Sequence, residues 1–156
     1  MKPPAAPHAS MRPPPVVGIL GYGGLIPFIA FATLRWLNLL GRADQWLLLL
    51  VAYGAVILSF VGALHWGFAM MAPGVDRARR TQCYVWSVIP ALIGIAAIGL
   101  NSSLSLTLLV SGFALAYWQD AALANRISLP AWYPRLRAHL SIVACVCLLS
   151  GLIPAA

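Results

Sequence analysis

Trp46–Ala72 runs for 27 residues without one Asp, Glu, Lys or Arg. About 20 mainly apolar residues in helical form cross the hydrocarbon layer of a bilayer. A charge-free stretch of this length has no place on the surface of a small water-soluble domain. It is one of five apolar runs, at Val16–Leu34, Trp46–Ala72, Gln82–Leu100, Leu104–Trp118 and His139–Ile153. The last two are short, and reach a full crossing only with the flanking Gln119–Leu123 and Leu136–Ala138. Unpaired backbone groups are too costly in hydrocarbon, and the runs lack the alternation of a membrane barrel strand, so each is expected to be helical. The expected fold is all-α: a polytopic five-helix transmembrane bundle with spans at about 16–34, 46–72, 82–100, 104–123 and 136–153.

Composition excludes the main alternatives. With 62% apolar and 8% charged residues over 156 positions, and a mean hydropathy of +0.88, the chain is too apolar to be disordered. A soluble sphere of this size exposes too large a fraction of its area to hide so much apolar surface. Residues 1–15 hold six prolines, which withhold backbone donors and favour extended conformations, so a flexible tail is expected there. The loops between runs are too brief to fold alone, leaving one transmembrane domain over 16–154. Ala30-Phe31-Ala32 resembles a signal-cleavage site, but the run before it is long and broken by Gly18, Gly21, Gly23, Gly24 and Pro27. It is therefore expected to stay as the first span.

The charge of +7 arises from one Lys, nine Arg and three Asp, with no Glu. The cations sit in short clusters between apolar runs, where lipid headgroups and topology account for them, and no nucleic-acid partner is expected. Lys2, Arg12, Arg77, Arg79, Arg80, Arg126, Arg135 and Arg137 fall on one side of a five-span layout, against Arg35 and Arg42 on the other. Basic residues resist translocation, so the N-terminus is expected inside and the C-terminus outside. The excess of Arg over Lys hints at a GC-rich bacterial genome and the inner (plasma) membrane; a eukaryotic chain of this kind belongs in the mitochondrial inner membrane.

Few side chains can do more than span. Ala55, Ser59, Ala63 and Gly67 recur every fourth residue, a small-residue stripe that reads as a helix-packing seam, within the bundle or between protomers. His65 lies in the same run, well inside the apolar stretch, where ionisable groups turn to the protein interior and find a partner. Asp120, Arg137 and His139 fall on the same side of the layout, so His65, Asp120, Arg137 and His139 form the candidate polar site, with Asp120 bonding Arg137 or His65. Trp66, Trp118, Trp132 and Tyr133 sit at headgroup depth and mark the inner interface. Pro27 and Pro90 are expected to kink the first and third helices near mid-span. Cys83, Cys145 and Cys147 show no metal-ligand spacing and read as small buried hydrophobes. A haem between His65 and His139 has no further signal in the sequence, and no cofactor or metal is expected. No nucleophile elbow, phosphate loop or carboxylate pair is present, so no catalytic residues are assigned and an enzyme is disfavoured.

Tyr53-Gly54-Ala55, Ile57 to Phe60, Gly62 and His65-Trp66-Gly67 together resemble the signature stretch of the transmembrane-protein-69-like family. Ser87 to Leu92, Tyr117 to Asp120, and Pro130-Ala131-Trp132-Tyr133 with Leu136-Arg137 fit the same pattern, and the likeness runs from Gly18 to Pro154. The resemblance implies a small multi-pass membrane protein with a domain of unknown function; it brings no activity and no cofactor. It marks His65, Asp120, Trp132, Tyr133 and Arg137 as the positions to test first.

The function expected from these readings is structural or assembly-related: a non-enzymatic protein that packs with itself, or with a partner, in a membrane complex. The alternative is a carrier or binder of a small hydrophobic or protonatable ligand at the inner-side His65 and Asp120.

Overall fold

The computed structural model describes residues 12–71, 76–124 and 129–154. Most of the Pro-rich tail, Arg126 and most of the connection after Met71 therefore lie outside the described residues. Among the described residues the protein is all-helical: α1 (Pro15–Gly23), α2 (Ile26–Trp36), α3 (Ala43–Met71), α4 (Arg77–Ile98), α5 (Ser102–Ala124) and α6 (Trp132–Ser150). Four stretches are long and apolar enough to cross a membrane, namely Pro15–Trp36, Ala43–Met71, Arg77–Ile98 and Ser102–Ala124.

The first run is broken where one continuous helix was expected. Proline at position 27 would set its ring against the carbonyl of residue 23, and Gly23-Gly24 has little helical preference to resist a break. The chain therefore ends α1 at Gly23 and starts again at Ile26, with Pro27 in the first turn of α2, where its missing N–H has no helical partner to lose. Pro27 thus starts a helix and does not kink one. The carbonyl of Gly24, freed by the break, accepts the hydroxyl of Tyr53 on α3 at 2.9 Å. Phe28 just beyond is fully buried, edge-on to Tyr53 and Phe113.

Two other boundaries also move. The helix expected from Gln82 begins at Arg77, because Asp76 accepts the N–H of Arg79 at 2.7 Å and caps it. The helix expected from Leu136 begins at Trp132, with Pro134 in its first turn, where proline is tolerated. Pro90 stays inside an unbroken α4. Between α2 and α3, Asn38, Leu40 and Gly41 adopt positive φ and reverse the chain.

α3 is the central helix, in contact with α2, α4, α5 and α6. Its most extensive neighbour is α4, and glycine sets their separation. A Cβ on Gly62 would stand 2.8 Å from Pro90 Cγ and 2.9 Å from the Ser87 carbonyl; one on Gly94 would stand 2.9 Å from the Ala55 carbonyl. Only residues without a Cβ allow backbones this close, and in lipid such contact supplies much of the cohesion. The core continues through Leu50, Leu58, Leu106, Leu109, Phe113 and Leu148. Large apolar side chains such as Ile19, Val56, Phe60, Leu92, Ile95 and Val146 point outward. Such a surface is stable against acyl chains and not against water.

Candidate functional site

His65 lies six residues before the end of α3, Asp120 four before the end of α5, and Arg137 five after the start of α6. α3 and α5 run one way and α6 returns, so all three stand at one end of the bundle. They are also neighbours in space. Arg137 Nε donates to Asp120 Oδ2 at 2.6 Å, and His65 Nε2 faces Asp120 Oδ1 at 3.5 Å. Exposure is 0% for His65, 2% for Asp120 and 7% for Arg137. Ionised groups in so dry a place persist only by pairing, and a charge-assisted bond of this length is among the stronger ones.

The remaining valences of the cluster are open. Arg137 meets Asp120 through one N–H and not as a two-pronged fork, which leaves Nη2 without a hydrogen-bond partner. Both ring nitrogens of His65, Asp120 Oδ1, Trp86 Nε1, Tyr133 Oη and Ser141 Oγ are likewise buried and unpaired. Tyr133 brings its hydroxyl beside the Arg137 guanidinium, close enough to interact with it. Phe68 and Trp86 stand edge-on to His65, with centroids at 6.1 and 6.3 Å. Aromatic rings thus wall the imidazole in. Chemically, the arrangement can clamp three helices through one carboxylate, and it holds an imidazole where a proton on it would meet that carboxylate.

The fourth candidate stands apart. His139 is two positions beyond Arg137, about 200° around an α-helix at 100° per residue. It faces the surface, where Tyr22 Oη approaches its Nδ1 at 3.4 Å. His65 and His139 therefore do not share a site. Among the described residues no group of three or more His, Cys, Asp or Glu is arranged to hold a metal ion.

The small-residue stripe divides. Ala55 is buried against α4, and the hydroxyl of Ser59 donates to the Ala55 carbonyl at 2.7 Å beside Gly94. Ala63 and Gly67 are exposed, and a Cβ on Gly67 would meet nothing within 4 Å. The contact with α4 instead passes through Gly62. At the aromatic end, Trp66 and Trp118 are exposed, Trp66 packs on Tyr84 at 4.8 Å, and Trp132 packs on Tyr133 at 6.2 Å.

Three residues gain a structural partner or place not assigned to them from sequence. Ser141 is one turn from Arg137 and so on its face, a relation the spacing contains. Trp86 reads as an interfacial ring but borders His65. Arg35 donates from Nη2 to the Gly151 carbonyl at 2.8 Å, closing the far end of α6.

Comparison with known proteins agrees with this architecture. Residues 13–153 match the model of the family described as "Protein of unknown function (DUF3429)". Transmembrane protein 69 of Xenopus tropicalis is 35% identical over 138 residues, covering 86% of this chain and 52% of that protein. The chain thus spans about half the length of the curated relative it matches. No solved structure matches. The protein is accordingly a multi-pass membrane protein of the DUF3429, transmembrane-protein-69-like family.

Proposed function

We propose that the protein is a five-span inner-membrane protein, N-terminus inside and C-terminus outside, that serves a non-enzymatic role in the assembly or stability of a membrane complex. In this reading residues 16–154 form one domain and residues 1–15 a tail. α6 is the fifth span: its 19 residues rise about 28 Å, close to the thickness of the hydrocarbon layer. Sidedness follows the cations; with Arg137 set aside as a buried partner of Asp120, seven basic residues still oppose Arg35 and Arg42. The setting is a bacterial plasma membrane, or the mitochondrial inner membrane for a eukaryotic chain.

The observation that carries the reading is the closure of the reactive groups. His65, Asp120 and Arg137, the chain's natural acid–base set, face one another and are shut away. A site for a small protonatable ligand at His65 and Asp120 has less support, because His65 has no exposed surface. Ala63 and Gly67, by contrast, leave a shallow exposed face on α3 that a second helix can approach closely.

Site-specific photocrosslinking from positions 63 and 67 in native membranes tests the reading. It expects one reproducible adduct, with a second copy or a defined membrane partner, and a complex on native gels that shrinks when Gly67 is replaced by Leu. Lipid-only adducts together with a monomer of unchanged size would overturn it.

A further inference from the structure

Beside the charge cluster, the inward surfaces of α1, α2, α3 and α6 leave an apolar crevice of about 140 Å³. Leu20, Phe28, Phe60 and Leu140 belong to its walls, and among the described residues its polar wall residues are Arg137 and Ser141. Leu20 and Phe60 are exposed on the outer surface, 71% and 63%, so the crevice opens sideways, onto the lipid-facing flank. It is also graded in polarity. Arg137 lies near the start of α6, Ser141 follows one turn later, and Ala144 closes the apolar end about 10 Å further along the helix.

Both polar residues have hydrogen-bonding capacity to spare. Arg137 Nη2 and Ser141 Oγ have no partner, and a hydroxyl in one of three staggered rotamers turns readily toward an acceptor. A guanidinium and a hydroxyl are both donors, so the complementary group is an oxygen acceptor, best a charged one. Asp120 occupies Nε of the guanidinium and the Tyr133 hydroxyl stands beside it, so a second carboxylate would share the remaining Nη hydrogens with that hydroxyl. The volume is about that of a cavity that holds one benzene-sized body, room for the acid group and first few carbons of one chain, with the remainder lying along the lipid-facing flank. We propose that this crevice binds a long-chain carboxylate, its acid group on Arg137 and Ser141 and its alkyl chain running past Ser141 toward Ala144. A fatty acid in a leaflet lies in the same sense, with its carboxylate at the helix ends and its chain toward the centre. The crevice adjoins the exposed face of α3 through Phe60, one turn before Ala63, but labelling on α1 and α6 tests it separately from the assembly reading.

The full chain in nanodiscs of zwitterionic phospholipid, photolabelled with a diazirine-bearing long-chain carboxylate, decides the matter. Saturable labelling is expected on α1 and α6, around Leu20 and Leu140. The unlabelled carboxylate should compete about tenfold better than the alcohol of equal length, the worth of one charged hydrogen bond. Ser141→Leu fills the crevice and leaves the Asp120–Arg137 bond intact, and should cut labelling about tenfold; Ser141→Ala, which changes packing less, should cut it several-fold. Equal competition by the alcohol, equal competition by a two-chain phospholipid, adducts elsewhere on the chain, or undiminished labelling of both folded Ser141 variants would each overturn the proposal.

Discussion

Arg137 donates its Nε–H to Asp120 Oδ2 at 2.6 Å, and neither side chain has appreciable contact with the surroundings. The pair joins α5 to α6, and His65 at 3.5 Å from the other carboxylate oxygen brings in α3. One carboxylate on α5 thus meets both its successor α6 and the more distant α3.

Removing one member of the pair strands the other as a buried charge, which typically costs about 3–5 kcal/mol. Asp120→Leu and Arg137→Met should each lower thermal stability in detergent sharply. The double variant should be closer to the parent than either single, since an apolar replacement of both partners leaves no orphan. Additive losses would mean that the two residues act separately.

Gly62→Ala and Gly94→Ala should each destabilise by roughly 1–3 kcal/mol, because the new methyl group meets Pro90 or the Ala55 carbonyl at under 3 Å. Gly67→Ala is the control. With open space around it and better helix propensity, it should be neutral or gain up to about 1 kcal/mol. Thermal unfolding of the three variants side by side checks the order.

Tyr53→Phe leaves the Gly24 carbonyl without its donor at the α1–α2 break. The acceptor is part-buried, so the cost lies toward the low end of the about 1–3 kcal/mol typical of a fully buried one. The expected signature is local: faster amide exchange across residues 20–29, with α4 and α5 unchanged.

Arg35→Met should release the last turn of α6, whose Gly151 carbonyl loses a donor at 2.8 Å and a cation near a helix C-terminus. A loss of about 1–2 kcal/mol is expected, with exchange rising over residues 148–153. Arg35→Lys should recover part of it.

Much of this was legible before any coordinates. A charge-free run such as Trp46–Ala72 dictates its own solvent, and solvent dictates helix. The polar residues His65, Asp120 and Arg137 were legible as belonging to one end, because alternating spans put the ends of α3 and α5 beside the start of α6. Their contact was not, since lateral order among apolar helices leaves no periodic trace. Boundaries failed where helix and hydrocarbon part company: Arg77–Thr81 and Trp132–Arg135 are helical but polar or interfacial, so a hydropathy pattern stops short of them. His139 was misjudged for a simpler reason, a two-residue offset that turns it to the opposite face. The break between α1 and α2 involves Pro27, Gly24 and Tyr53, of which the Tyr53 hydroxyl on the Gly24 carbonyl leaves no trace in the sequence.

The order of the three charged-site residues along the chain carries a consequence for biogenesis. His65 leaves the ribosome first, Asp120 55 residues later, and Arg137 another 17 after that. Until α6 follows, the carboxylate of Asp120 has no guanidinium to meet. Arrival of α6 is then the event that matches this charge, and a chain ending before Arg137 would leave it buried without a cation.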